Sequence, residues 1–424
     1  MTASRGRTVA KGSVIVAHPG RQNSYETALA MQEAGLLARY ITGIYYKPES
    51  VCGRVVRLSG RAESEFYRRH QDGLSCDRVR QYPLGELLYL GASRFRPSAR
   101  YVPGIVRWRN DRFDRLVGGV VERERPTGVI CYDTCALHTF RKAGDLGILR
   151  VLDQSVGHWR TLVAMMREEA QLQPDFADSL PLDVPERFLA QCAEEALLAD
   201  VVLAGSPFVK DTMVHHGVES SRVEVIPYGA DIERFKPAKR EKDDRFRLLF
   251  VGQLSQRKGI KYLLEAVAAL TVPRLELMLV GGVVGSGHGL AAYREHFTHV
   301  SNVPHHDVHR YFQQADVFVY PSLYEGSAIA IYEALASGLP VITTPNSGSM
   351  VRDGVEGFIV PIRDVEALKE KILLLYEDRE LRETMGTNAR KRAEEFTWAG
   401  YRRKVGSLLR DLLKEQSRED GYGA

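Results

Sequence analysis

The chain has 424 residues, 44% of them hydrophobic and 26% charged, with a formal net charge of +4 at pH 7. That is too apolar for a disordered chain, and no uncharged apolar run reaches the length of about 18 residues that crosses a membrane. So small a net charge does not point to nucleic acid, and the length asks for two or three domains. Cys52, Cys76, Cys131, Cys135 and Cys192 are odd in number and scattered, which fits a reduced cytoplasmic protein better than a disulfide scaffold. Cys131 and Cys135 have no second pair nearby, so no zinc site is expected. The first apolar run, VIVAH, is too short for a secretory segment.

In chain order, strands are expected at 13–18, 127–132, 150–154, 200–205, 222–227, 247–252, 275–281, 317–322 and 340–344. Several are continuously apolar, as parallel strands covered on both faces require. Helical patterns lie between them. One is 24–35, with Ser24 as cap and Gly35 as stop; another is 260–270, with Leu263, Ala266, Val267 and Leu270 on one side. Strand and helix alternating in this way predict an α/β chain of doubly wound sheets. The charged stretch after Pro237 (236–246) is the best linker and divides the chain into two such halves. The terminal 398–416 is amphipathic, with Tyr401, Val405, Leu408, Leu409 and Leu412 at helical spacing. The segment 51–125 holds sixteen Arg, no Lys and nine acidic residues, a local excess of seven. With Tyr101, Ile105, Val106, Trp108 and Phe113 among them, these arginines suit peripheral contact with an anionic membrane or an anionic acceptor; a solvated helical face is the other reading.

Two segments of the second half carry chemistry. In LLFVGQLSQRKGIKYLLEA a strand ends at Gly252, and Gln253 opens a short polar loop. Arg257 and Lys258 stand in that loop, just before a helix introduced by Gly259. Two adjacent cations beside a helix N-terminus suit a diphosphate, and two surface cations are the alternative. In VFVYPSLYEGSAIAIYEALASGLPVITT a strand ends at Pro321-Ser322, and Glu325, Gly326 and Ser327 lead into a helix that Gly338 closes. Gly326 permits close approach of a ligand, Ser327 is the expected N-cap, and the amides of Ser327, Ala328 and Ile329 are expected to face an anion. Carboxylates beside an anion site need hydroxyl donors, so Glu325 and Glu333 suggest a sugar at one end of a diphosphate and a ribose at the other. The paired histidines His215-His216 and His305-His306, with His309, lack the further ligands of a metal set.

The pair Glu325 and Glu333 resembles the E-x7-E motif of retaining glycosyltransferases with the GT-B fold, specifically family 4. VIPYGADIERFKP (225–237), VGQLSQRKG, NVPHHDVHRYFQQADVFVYPSLYEG and ALASGLPVITTPNSGSMVRDGVEGFIVP resemble that family's segments in order, over about 200–395. The resemblance implies two Rossmann-like domains facing across a cleft. They would be an acceptor-side domain 1–237 and a donor domain 238–396, with 397–424 as a helix crossing back to the first.

It further implies that Lys258 and Arg257 hold the diphosphate, with Gln253 where the family has a second cation. Val303 would meet the base, Glu325 the transferred sugar and Glu333 the ribose, and His158 would stand near the sugar. His18, Gly20 and Asn23 are acceptor-side candidates at a strand end. The implied reaction moves a hexose from a nucleotide-diphosphate sugar to a carbohydrate or glycolipid acceptor, with retention and without a metal or other cofactor. A bacterial polysaccharide or glycoconjugate pathway is the expected setting, in the cytoplasm or at the inner face of the cell membrane. A nucleotide-sugar epimerase and a non-catalytic nucleotide-sugar-binding partner are the alternatives.

Overall fold

The structure, a computed structural model, describes residues 12–49, 68–94, 101–238, 244–301 and 303–422. Cys52, the 51–67 and 95–100 parts of the Arg-rich segment and the middle of the expected linker lie outside the described residues. One sheet contains β1 (Val14–His18), β2 (Leu37–Thr42), β3 (Val79–Gln81), β4 (Gly128–Tyr132), β5 (Leu149–Gln154), β6 (Val201–Ala204) and β7 (Val223–Val225), in the order β3-β2-β1-β4-β5-β6-β7. The other contains β8 (Phe246–Val251), β9 (Leu275–Val280), β10 (Thr298–Val300), β11 (Val317–Tyr320), β12 (Val341–Thr343) and β13 (Gly357–Ile359), in the order β10-β9-β8-β11-β12-β13. β1 pairs in parallel with β2 and β4, and β8 with β9 and β11. Each order reverses once, between β1 and β4 and between β8 and β11. Those are the switch points beyond which doubly wound sheets bind ligands. The expected α/β architecture of two parallel sheets is therefore present.

The central strands are the apolar runs. β1 and β4 are buried at every residue, as is β11, because helices cover both faces of a parallel sheet. β2, β3, β10 and β13 were not expected. Arg39 interrupts β2, while β3, β10 and β13 are three-residue sheet edges whose sequences VRQ, THV and GFI are too short to show a period. Ser24 is also not a cap. It is the first residue of the helix Ser24–Glu33, fully buried, with its Oγ donating to the Arg21 carbonyl at 2.9 Å and meeting the Tyr40 hydroxyl at 2.8 Å.

A single cut near 237 describes the two sheets but not the packing. The chain forms two compact units, Met1–Asp153 with Glu194–Leu203 and Arg402–Ala424, and Gln154–Ala193 with Ala204–Tyr401. In the first, the last helix presents Val405, Leu409 and Leu413 as its buried line. Leu408 and Leu412, half-buried, flank that line. Arg402 donates to Glu26 at 2.7 Å.

The same unit holds the N-terminus of the helix Leu137–Asp145 with two fully buried carboxylates. Glu195 accepts from the amides of Thr134, Ala136 and Leu137 at 2.7, 3.0 and 3.2 Å. Asp114 accepts from those of His138 and Thr139 at 2.6 and 2.9 Å. Amides at a helix start have no carbonyl of their own helix to bond, and the field there favours negative charge. Glu195→Ala leaves three amides short of their acceptor and is expected to lower the unfolding free energy by about 3 kcal/mol. Urea denaturation followed by circular dichroism measures that loss, and a change below about 0.5 kcal/mol would contradict it.

Candidate functional site

The second unit assembles the loops that follow β8, β11 and β12 with the segment 154–158. After β8, Gly252 takes a φ of 153°, and Gln256–Lys258 form one 3-10 turn that ends at Gly259 in the left-handed region, φ 69°. A β-carbon at Gly259 would stand 2.0 Å from the Pro321 carbonyl oxygen, so this position demands glycine twice over. The turn points Lys258 inward. It is 8% exposed, against the alternative of two surface cations. Its Nζ donates to Glu325 Oε1 and to the Tyr320 hydroxyl. Arg257 reaches the same Glu325 Oε1 at 2.8 Å and the Tyr324 carbonyl at 2.7 Å. Burial pushes the Glu325 carboxyl up, but the two cations outweigh it and hold the group below the ordinary carboxylate value. Burial likewise lowers the Lys258 ammonium, against the pull of Glu325.

The loop after β11 is held from three sides. The Glu325 amide donates to the Asn346 carbonyl at 3.0 Å, and Asn346 Nδ2 to the Leu323 carbonyl at 2.9 Å. A β-carbon on Gly326 would come within 2.0 Å of the Ser155 carbonyl oxygen, so the close approach at this glycine is to the chain's own backbone. Two expectations about the following helix are corrected. It runs Ile329–Ala336 with Ala328, not Ser327, at the N-cap, and no side chain caps it. Ser327 Oγ instead meets the Tyr332 hydroxyl at 3.0 Å, and the Ala328 amide is taken by the Ser347 carbonyl at 3.2 Å. The first-turn amide of Ile329 still lacks an intrahelical acceptor. Four residues farther on, Glu333 is 4% exposed and its Oε1 lies 2.8 Å from His305 Nε2. Val303 precedes that histidine by two residues and is half-buried; Gln253 is exposed.

His158 is 3% exposed and caps the helix Trp159–Leu172, its Nδ1 accepting from the Arg160 amide at 3.3 Å. Its ring stacks on His216 at 3.8 Å, and its carbonyl accepts from the Tyr324 hydroxyl at 2.8 Å. Burial, then the neighbouring His216 and Arg160, push its imidazole down to about 3. The helix it starts is fastened to the cation turn by Glu169. That fully buried carboxylate accepts from Gln256 Nε2 at 2.7 Å, the Tyr262 hydroxyl at 2.6 Å and Arg363 Nε at 2.8 Å.

The remaining candidates belong to the first unit, at the carboxyl end of β1. His18 is 7% exposed, its Nδ1 accepting from the Gly20 amide at 3.1 Å and its ring edge-on to Tyr132. Burial lowers its imidazole to about 4. Asn23 donates to Asp153 at 3.3 Å.

Residues 231–392 match the family model described as glycosyl transferases group 1. The match takes in the loops after β8, β11 and β12 that carry Arg257, Lys258 and Glu325. The D-inositol 3-phosphate glycosyltransferase of Paenarthrobacter aurescens is 30% identical over 239 residues, covering 49% of this chain and 58% of that one. Its namesake in Streptomyces bingchenggensis is 32% identical, covering 57% and 58%. The chain thus spans roughly three fifths of the length of these curated relatives, 58% in both cases. Sucrose-phosphate synthase from Thermosynechococcus elongatus shares the fold with a TM-score of 0.66 at 20% identity, over 95% of this chain and all of that one. So does Anabaena HepE, solved with UDP-glucose, with a TM-score of 0.59 at 15% identity over 94% and 99%.

The matched region brings together Arg257, Lys258 and Glu325, which the sequence had named, with Tyr320 and Tyr324, which it had not; nor had it named Gln256 as the partner of Glu169 or His305 as that of Glu333. Gln256 lies in the quoted motif beside two cations that drew attention away from it. Tyr320 and Tyr324 read as core, and His305 as one of a pair without ligands. The two lowered imidazoles have a consequence for stability. Unfolding lets each take up a proton below its ordinary value of 6.5, down to about 4 for His18 and about 3 for His158. The unfolded chain therefore binds more protons in that window, and stability falls as the pH drops through it. Melting temperature should decline from pH 7 to pH 4.5, and less steeply in His158→Gln; an identical slope in the variant would refute this account.

Proposed function

We propose that the chain is a retaining, metal-independent glycosyltransferase that moves a hexose from a nucleotide-diphosphate sugar to an acceptor hydroxyl. The observation that carries this reading is the convergence of Arg257 and Lys258 on Glu325, at the carboxyl ends of the switch-point strands β8 and β11, inside the group 1 region. When a sugar leaves, negative charge grows on the diphosphate. A cation held in place beforehand, with the first-turn amide of Ile329, stabilises it without reorganisation. Lys258 and Arg257 are the diphosphate-binding groups in this reading, Glu325 positions the sugar, Glu333 with His305 takes the ribose, and Val303 the base. His158, held neutral, offers its ring as a hydrogen-bonding group near the sugar. His18, Gly20 and Asn23 mark the acceptor side. The HepE structures hold UDP and UDP-glucose, which makes uridine diphosphate sugars the first donors to try. The acceptor belongs to bacterial polysaccharide or glycoconjugate synthesis, with peripheral contact at the inner face of the membrane.

The experiment is incubation with a panel of donors and detection of released nucleotide diphosphate. Release that depends on acceptor supports transfer. Isomerised donor would indicate an epimerase. Binding without turnover would indicate a nucleotide-sugar-binding partner, a second reading favoured by the uncharged Gln253. Lys258→Ala and Glu325→Gln are each expected to lower kcat by about 100-fold or more. Near-normal turnover in both would remove the assignment. Turnover is expected to survive EDTA, and its loss, restored by a divalent cation, would show a metal requirement.

A further inference from the structure

The first unit contains a pocket of about 250 Å³ that the site above does not use. Pro19 directly follows β1, Gly43 directly follows β2, and Tyr82 directly follows β3, so it lies beyond the carboxyl ends of three adjacent strands. Its other walls are the start of the helix Pro83–Arg94 and the Arg112, Phe113 and Leu116 turn of the helix Val102–Glu124. Close packing shapes its base: a β-carbon on Gly43 would stand 2.4 Å from the Pro19 carbonyl oxygen.

The helix Pro83–Arg94 is turned outside in. Its carboxylate, Glu86, is 3% exposed and bound by Arg109 at 2.6 Å and Arg69 at 3.0 Å. Three of its four leucines face outward, Leu84 and Leu87 at 56% exposure and Leu88 at 49%. Spaced by three and four residues, they form one stripe that leads out of the pocket at Leu84. A helix facing water does the reverse, with apolar residues in and charge out. Across the rim, Arg112 is exposed and makes no ion pair among the described residues; its guanidinium lies 5.9 Å from the centroid of the exposed Trp108 ring. Apolar walls, an apolar ramp and one uncommitted guanidinium together match a molecule with a hydrocarbon chain and an anionic head. The local excess of seven positive charges over 51–125 has the same sign.

We propose that this pocket takes an anionic amphiphile as the acceptor, its head meeting Arg112 and its chain leaving along Leu84, Leu87 and Leu88. The word acceptor rests on the transferase reading; the binding itself does not. The test is isothermal titration of the full-length chain with decyl phosphate below its micelle concentration, beside decyl maltoside and inorganic phosphate. Decyl phosphate is expected to bind at least ten-fold more tightly than either control. The surface variant L84Q/L87Q/L88Q should weaken it at least ten-fold, and Arg112→Gln should erase the preference over decyl maltoside. No binding of decyl phosphate, equal binding by the variants, or equally tight binding of inorganic phosphate would overturn the proposal. Far-ultraviolet circular dichroism and thermal melting of the same variants check that they remain folded. Nucleotide release from donor tests the transferase reading separately, so the failure of one is told from the failure of the other.

Discussion

One buried carboxylate holds the second unit's loops in place. Glu325 carries a charge where water is scarce, and only the two cations of the neighbouring loop make that state tolerable. The dependence is mutual, since burial presses Lys258 toward its neutral form and Glu325 pulls against it. Each loop is shaped against a neighbouring segment. The left-handed Gly259 brings the cation turn against Pro321, and Gly326 sets the glutamate's loop against Ser155. What results is positive charge fixed in advance at a switch point, which is the property that stabilising a leaving phosphate requires.

Much of this was legible in the residues, and the exceptions have physical causes. Continuous apolar runs marked the central parallel strands because both faces are covered. The edge strands escaped because three residues such as THV or GFI carry no periodicity, and they are only partly buried. The positions of Arg257, Lys258 and Glu325 followed from the motif, but the burial of Lys258 did not, since a Lys in a polar loop is ordinarily solvated. Ser327 had the chemistry of an N-cap, yet tertiary packing moved the helix start by one residue and gave its hydroxyl to Tyr332. Glu169 was invisible for a different reason. A glutamate within an amphipathic helix reads as a solvated charge, and its three partners, Gln256, Tyr262 and Arg363, lie about 90 to 200 residues away.

The basic segment of the first unit shows how a charge count changes meaning once side chains are placed. Sixteen arginines in one stretch suggest a uniformly cationic surface, but several are spent inside the unit. Arg69 and Arg109 neutralise Glu86, Arg80 faces Glu124, and Arg115 pairs with Asp111. The surface these pairs support is in part apolar, because holding Glu86 inward leaves three leucines of its helix outward. Charge inside and hydrocarbon outside are two aspects of one helix orientation.

The way the polypeptide threads its two units has a further consequence. It passes from one to the other at Asp153–Gln154, returns at Ala193–Glu194, passes again at Leu203–Ala204 and returns at Tyr401–Arg402. The two units are thus tied by four covalent connections, where two consecutive domains would have one. A protease that severs the chain after Pro237 cuts within the second unit, so the two fragments would be held together by noncovalent packing alone.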